Sequence, residues 1–118
     1  MNTILIVDDE KNTREGLRLS LEDEFDVYIT SNIKGAKDVL ENEIIDVLVT
    51  DLRLGAEDGM ELIELALQLP QPPISIMMTA YGSVDTAVEA MKRGAYHFVT
   101  KPLNIDPVSY THLTLPTS

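Results

Sequence analysis

The sequence predicts a doubly wound α/β fold, in which a parallel sheet is covered by helices on both faces. Four or five short apolar runs of strand type recur along the chain, and segments with helical periodicity separate them. These runs are continuously apolar rather than alternating, which is typical of strands buried on both faces. Alternation of strand and helix repeated this often implies right-handed crossovers between parallel strands.

Five segments are predicted as strands because each is a short apolar run of the length that strands have. The second run is weaker and shorter than the others. In chain order the predicted strands are Thr3–Val7, Val27–Thr30, Asp46–Thr50, Ile74–Met78 and Tyr96–Val99.

Four segments are predicted as helices because their apolar residues recur along one face. They are Asn12–Asp23, Ile33–Asn42, Met60–Leu69 and Ser83–Arg93. The first begins with an Asn-Thr pair suited to a helix cap, and the fourth begins with a serine cap. Pro70 stops the third helix, and Gly94 occupies the helix-terminating position of the fourth.

Length and composition indicate one domain of an ordinary globular protein. The chain has 118 residues, of which nine are basic and twenty are acidic, and its net charge of −11 argues against nucleic-acid binding. The absence of cysteine excludes disulfides and thiolate metal sites. No apolar run approaches the roughly 20 residues that a membrane helix needs, and the first residues lack the pattern of a secretory signal.

Polar residues stand where the predicted strands end. Asp8 and Asp9 end the first strand, Asp51 ends the third, Thr79 ends the fourth, and Lys101 follows the fifth. In a doubly wound sheet the functional site lies at the carboxyl ends of the strands. We therefore expect these five residues to gather on one rim.

The chemistry of such a rim points to a divalent cation and to phosphoryl transfer. Three neighbouring carboxylates raise each other's pKa unless a cation is present, and Mg²⁺ accepts carboxylate ligands together with waters and a phosphate. A carboxylate beside Mg²⁺, a lysine and a hydroxyl is a suitable nucleophile for a phosphoryl group. Lys101 would neutralise charge, and Thr79 would donate a hydrogen bond to the new phosphoryl oxygens.

Four motifs in the expected order resemble the response-regulator receiver domain of two-component signalling. They are "LIVDDE", "VLVTDLRL", "MMTAYGS" and "GAYHFVTKPLNID", and the resemblance covers residues 2–107. The stretch "MTAYGSVDTAVEAMKRGA" is most similar to receivers of NtrC-like, sigma-54-dependent transcriptional regulators. The resemblance implies a flavodoxin-like five-stranded sheet in the order 2-1-3-4-5.

The resemblance implies a role for each matching residue. Asp51 is the expected phospho-acceptor, assisted by Thr79 and Lys101. Thr79 and Phe98 form the expected switch, in which the hydroxyl moves toward the phosphate and the aromatic ring turns inward. Family members help to catalyse their own phosphorylation and slow dephosphorylation but turn over no metabolite, so we expect no enzyme in the ordinary sense.

The resemblance also implies a Mg²⁺ site. Its expected ligands are Asp8, Asp9, Asp51 and the backbone carbonyl of Arg53, with Asp9 a more direct ligand than Asp8. One position departs from the family pattern, because Gly55 stands four residues after Asp51 where proline is usual. We expect glycine to loosen this loop.

The expected phosphoryl donor is a sensor histidine kinase in a bacterial cytoplasm. The parent protein is expected to carry a downstream effector, with an ATPase and a DNA-binding module, and a homodimer is a further expectation. The receiver domain itself is expected to bind neither nucleic acid nor a membrane.

Two other functions are compatible with parts of the pattern. A receiver-like interaction module would have this fold without being phosphorylated. A Mg²⁺-dependent phosphatase with an aspartyl nucleophile would carry a second acid two residues after the nucleophile, whereas this chain has Arg53 there.

The C-terminal segment does not continue the pattern. Receivers need a fifth helix after "KPLNID", but "PVSYTHLTLPTS" contains poor helix formers and a late proline. We expect residues 1–107 to form a receiver domain whose fifth helix is missing or replaced, and residues 108–118 to be a non-native tail.

Overall fold

A computed structural model describes residues 1–80 and 83–101 of the protein. Its strands are β1 (Asn2–Val7), β2 (Phe25–Thr30), β3 (Val47–Asp51), β4 (Arg53–Leu54), β5 (Glu57–Asp58), β6 (Ile74–Thr79) and β7 (His97–Thr100). Five of them form a parallel sheet in the order β2-β1-β3-β6-β7. This is the predicted order 2-1-3-4-5, since β6 and β7 are the fourth and fifth strands of the main sheet.

Four helices connect these strands within the described residues. They are α1 (Lys11–Leu21), α2 (Ile33–Asn42), α3 (Gly59–Leu67) and α4 (Val84–Lys92). The predicted serine cap is confirmed, because the side chain of Ser83 accepts a hydrogen bond from the Thr86 N–H at 3.1 Å. Gly94 follows α4 with φ +113°, a conformation that favours glycine, so the predicted helix end is also confirmed.

The sheet separates two apolar clusters, one on each face. The first contains side chains of α2, α3 and α4 packed against residues such as Leu5 and Met77. The second contains Leu17 and Leu21 of α1 packed against residues such as Ile6 and Met78. Helices therefore cover both faces, and the continuous apolar character of the strands results from this double burial.

The predicted cap of α1 is wrong. The helix begins at Lys11, with Glu10 as the N-cap residue, and the Glu10 side chain makes no capping hydrogen bond. The Asp8 carboxylate instead accepts a hydrogen bond from the Glu10 N–H at 2.8 Å, which turns the chain directly after β1. The helix can therefore begin before the Asn-Thr pair is reached.

A short hairpin after β3 was not predicted. Arg53 pairs with Asp58 and Leu54 pairs with Glu57, so that β4 and β5 enclose a two-residue loop. Gly55 is the first residue of this loop and has φ +64°, which is the position that requires positive φ in a type II′ turn. Backbone pairing on both sides thus defines the path of this loop, while the expected loosening by glycine stays a prediction.

Three sequence expectations fall on residues beyond this description. They are the domain boundary at residue 107, the replaced fifth helix, and the non-native tail at 108–118. Among the helices of residues 1–80 and 83–101, none has the length and apolar character needed to cross a membrane.

Candidate functional site

The carboxyl ends of strands in the main sheet bring the predicted rim residues together. Asp51 is the last residue of β3, Thr79 is the last residue of β6, and Lys101 directly follows β7. A backbone hydrogen bond connects the ends of β6 and β7, since the Lys101 N–H donates to the Thr79 carbonyl at 2.9 Å. The sheet itself therefore sets the spacing of the site.

Lys101 joins two of the three acids. Its Nζ lies 2.6 Å from Asp8 Oδ2 and 2.8 Å from Asp51 Oδ2. Although burial disfavours the charged amine, its hydrogen bonds to Asp51 and Asp8 raise the pKa of Lys101 above its ordinary value. The ammonium ion is consequently the cation that these two carboxylates share in the described part of the chain.

Asp8 is the most buried of the acids and is fully shielded from solvent. Burial raises the pKa of Asp8 above its ordinary value of 3.8, and the hydrogen bonds from Lys101 and from the Glu10 N–H oppose this shift. On the main-chain side, Arg14 Nη1 donates to the Asp8 carbonyl at 2.8 Å. Sequence reasoning missed Arg14, whose position on the first turn of a predicted helix was the available signal.

Asp51 is held on two sides. Its Oδ2 accepts from Lys101, and its Oδ1 accepts from the Arg53 N–H at 3.3 Å. Gly59, the first residue of α3, lies against its main chain, and an added Cβ there would lie 1.9 Å from the Asp51 carbonyl oxygen. The absence of a side chain at Gly59 allows α3 to begin this close to the acid.

Asp9 is exposed, and the loop after β3 reaches it. The Gly55 N–H donates to Asp9 Oδ2 at 3.0 Å, although the two residues are 46 positions apart. Sequence reasoning treated Gly55 as a departure from the family pattern and not as part of the site. Glycine in a short polar loop was a sufficient signal for a turn, but not for the residue that this turn contacts.

The three acids have the donor chemistry and the spacing of a cation site. One carboxylate oxygen from each of Asp8, Asp9 and Asp51 lies within 4.8 Å of the others. Oxygen donors of this kind suit hard cations such as Mg²⁺ and Ca²⁺. Arg53, whose carbonyl is the fourth expected ligand, lines the same depression as Asp9 and Asp51.

Thr79 and Phe98 lie on neighbouring strands, on the side of the site toward α4. Thr79 is buried at the end of β6 and contributes to the floor of the depression. Phe98 pairs with Met77 across β6 and β7 and is partly buried against the cluster that contains α4. The two predicted switch residues are therefore near one another in the sheet, but only Thr79 lines the site.

A depression of about 710 Å³ opens over the rim. Its lining includes Asn12, Thr13 and Gly16 of α1 and residues of the segment after β3. The remaining lining residues are Asp9, Glu10, Leu17, Ser20, Asp51, Arg53, Gly55, Thr79, Ala80 and Lys101. The volume is sufficient for a phosphoryl group with a side chain that delivers it.

Comparison with known sequences identifies relatives along almost the whole chain. Residues 4–109 match the family described as Response regulator receiver domain. Response regulator protein PilR of Pseudomonas aeruginosa is 43% identical over 103 residues, which is 86% of this chain and 23% of PilR. The chain thus spans about a quarter of the length of this curated relative.

Solved structures show the same fold. The solution structure of the beryllofluoride-activated NtrC4 receiver domain dimer superposes with a TM-score of 0.87 at 30% identity, and the match covers 100% of both chains. A response regulator protein from Burkholderia pseudomallei, whose crystal structure has a phosphorylated aspartic acid, calcium ion and citrate, gives a TM-score of 0.84 at 28% identity. That match covers 92% of this chain and 64% of the other.

Proposed function

The chain belongs to the response regulator receiver domain family, and from this premise we propose that it accepts a phosphoryl group on Asp51 from a sensor histidine kinase. The observation that carries the proposal is the environment of the Asp51 carboxylate. Asp51 is the last residue of β3, and its Oδ2 accepts a hydrogen bond from Lys101 Nζ at 2.8 Å. The residue also lines a depression large enough for the donor.

In the proposed reaction an Asp51 carboxylate oxygen attacks the phosphorus of a phosphohistidine. The P–O bond forms as the P–N bond breaks, and the departing imidazole takes up a proton from solvent. Bound Mg²⁺ supplies charge neutralisation for the phosphoryl oxygens and the attacking carboxylate. The ligands proposed for it are Asp8, Asp9, Asp51 and the Arg53 carbonyl.

The chain's own residues position the nucleophile and stabilise its product. The Arg53 N–H holds Asp51 Oδ1, which leaves the carboxylate in one orientation before the donor arrives. Lys101 provides a positive charge where negative charge accumulates. The Thr79 hydroxyl is proposed to donate to a phosphoryl oxygen, and that movement to bring Phe98 inward.

The proposed output is a changed surface near α4 and β7. Phe98 connects these two elements, because it lies on β7 and packs into the cluster that contains Ala90 of α4. In the parent protein this surface would act on a downstream ATPase and DNA-binding module, or on a second receiver. The net charge of −11 supports a protein partner rather than direct nucleic-acid binding by this domain. The bacterial cytoplasm is proposed as the location from the family alone.

Intact-mass spectrometry tests the proposal after incubation with acetyl phosphate and Mg²⁺. We expect one phosphoryl adduct on the unmodified chain and none on Asp51→Asn. Asp38→Asn is the matched control, since it removes an acid on α2 away from the rim, and we expect it to retain the adduct. A folded chain that gains no adduct would instead support the alternative of an unphosphorylated interaction module.

Addition of EDTA separates the proposed metal requirement from the nucleophile. We expect the adduct to disappear when Mg²⁺ is withheld. Without the metal ion, the single positive charge of Lys101 must balance three carboxylates and the incoming phosphate. An adduct of unchanged yield without Mg²⁺ would contradict the proposed metal site while leaving Asp51 as the acceptor.

A further inference from the structure

Gly55 joins the loop after β3 to the acids that follow β1. Its backbone N–H donates to Asp9 Oδ2 at 3.0 Å. From this contact we propose that Gly55 is a positioning residue, whose N–H orients the Asp9 carboxylate for binding Mg²⁺. The inference rests on the proposed function, since it concerns one ligand of the proposed metal site.

The hairpin gives the Gly55 amide a fixed place. Pairing of β4 with β5 closes the loop on both sides of Gly55. Asp58 caps α3 by accepting from the Met60 N–H at 2.9 Å, and Glu57 accepts from the Ile33 N–H of α2 at 3.1 Å. The donor is thus supported by two helices and not only by its own loop.

Asp9 needs such a donor more than the other two acids do. Asp8 is enclosed by protein, and Asp51 is held by Lys101 and by the Arg53 N–H. Asp9 is exposed, and within the described residues the hydrogen bond to its carboxylate comes from Gly55. A carboxylate has about four lone-pair sites, so this bond leaves others for a cation.

The orienting bond is expected to favour the metal. Ligating carboxylates in protein metal sites are themselves hydrogen-bonded, and loss of such a partner commonly weakens metal binding by 10- to 100-fold. Because Asp9 is exposed and solvent competes for its oxygens, we expect an effect at the lower end of this range.

Two substitutions of Gly55 differ in whether they keep its N–H. Alanine keeps the N–H, and an added Cβ would meet no atom within 4 Å, but φ of +64° strains it. Proline removes the N–H and cannot adopt this φ, because its ring fixes φ near −65°, so it also changes the path of the loop. The difference between Gly55→Ala and Gly55→Pro therefore reports the loss of the contact together with this change of path, and the second experiment examines the hydrogen bond by itself.

The first experiment is a Mg²⁺ titration of the full chain and both variants, followed by amide chemical shifts in ¹⁵N NMR spectra. We expect Gly55→Pro to bind Mg²⁺ about tenfold more weakly than Gly55→Ala. Equal affinities, or tighter binding by Gly55→Pro, would overturn the inference. If the unmodified chain binds no Mg²⁺ at all, the proposed metal site fails and this inference fails with it.

The second experiment keeps Gly55 and does not depend on the folding of its variants. In the metal-free chain we expect Asp9→Ala to move the Gly55 amide proton upfield and to speed its exchange with solvent. Asp38→Ala, the matched control on α2, should leave this amide unchanged. A Gly55 amide that is identical in both variants would show that Asp9 is not its acceptor and would overturn the inference, even where Mg²⁺ binds normally.

Discussion

The central strand β3 and the edge strand β7 both end at the candidate site, but they are built differently. Every residue of β3 is buried, whereas no residue of β7 is. The helix beside β7 also leaves large apolar side chains in solvent, with Val84 at 79% and Val88 at 46% relative exposure. Asp51 is therefore held by the core, whereas Lys101 directly follows a strand that has no buried residue.

This difference suits the two tasks that the proposed function requires. A nucleophile is most effective when its position is fixed, and burial of β3 between two helical layers provides this. A switch needs a region whose local opening costs little free energy, and an edge strand with few buried residues is such a region. The same ammonium ion connects both regions, because Lys101 follows β7 and binds Asp51.

The largest effect is expected at the rigid side of the site. Gly59→Ala places a Cβ 1.9 Å from the Asp51 carbonyl oxygen, so that the start of α3 must move. We expect the free energy of unfolding to fall by about 3 kcal/mol, measured by urea denaturation.

Gly16→Ala is the matched control for this prediction. A Cβ at Gly16 would meet no atom within 4 Å, and the residue lies inside α1. Alanine is the better helix former, so we expect this variant to gain about 0.5–1 kcal/mol. Equal losses in both variants would show that the close approach at Gly59 does not matter.

A smaller loss is expected when the link between the two regions is removed. Lys101→Met leaves the buried carboxylate of Asp8 without its cation, and we expect a loss of about 2 kcal/mol, less than for a fully buried pair because the site is open. Adding Asp8→Asn removes the unpaired charge, so the double variant should recover part of this loss in thermal unfolding. Strict additivity of the two changes would contradict the ion pair.

The ion pair between Glu64 of α3 and Arg93 tests the outer side of the molecule. Arg93 Nη2 lies 2.7 Å from Glu64 Oε1, and this hydrogen bond lowers the pKa of Glu64 below its ordinary value of 4.5. Since the folded-state pKa is the lower one, the contribution is present above pH 4.5 and is lost as the pH falls through the folded value. The Glu64 side chain is exposed and that of Arg93 is partly exposed, so we expect only a small effect.

Melting temperatures of the unmodified chain and Glu64→Gln measure this effect. The variant should melt slightly lower at pH 7, and the two melting temperatures should converge as the pH falls below the folded-state pKa of Glu64. A difference that persists at low pH would mean that the pair acts through packing and not through charge.

The smallest effect is expected on the open face of α4. Val84→Ala removes an exposed side chain, and we expect a change within about 0.5 kcal/mol. The same substitution at Val49, which is 7% exposed in β3, should cost about 2 kcal/mol. Similar costs at the two positions would remove the contrast between the strands.

Much of the fold and the rim could be predicted because both depend on local patterns. A continuous apolar run fixes where a parallel strand lies, and the first polar residue after it must then stand at the carboxyl end. For this reason the sequence alone places Asp51 and Thr79 on one edge of the sheet. Helix ends were predictable to the same degree where a cap was local, as at Ser83.

The contacts that orient the acids could not be predicted from the sequence. The bond from Gly55 to Asp9 joins residues 46 positions apart, and the bond from Arg14 to the Asp8 carbonyl requires the exact turn between β1 and α1. That turn also moved the start of α1 to Lys11.

The sequence by itself determined which residues end on the rim, because each continuous apolar run marks a strand and the polar residue after it marks the carboxyl end of that strand. Only the tertiary structure decided that Lys101 pairs with both Asp8 and Asp51 and that a hairpin reaches Asp9. The physical reason is that hydrogen bonds and ion pairs form or fail over a few tenths of an ångström. The atoms of a loop are positioned this accurately only after the strands and helices have packed.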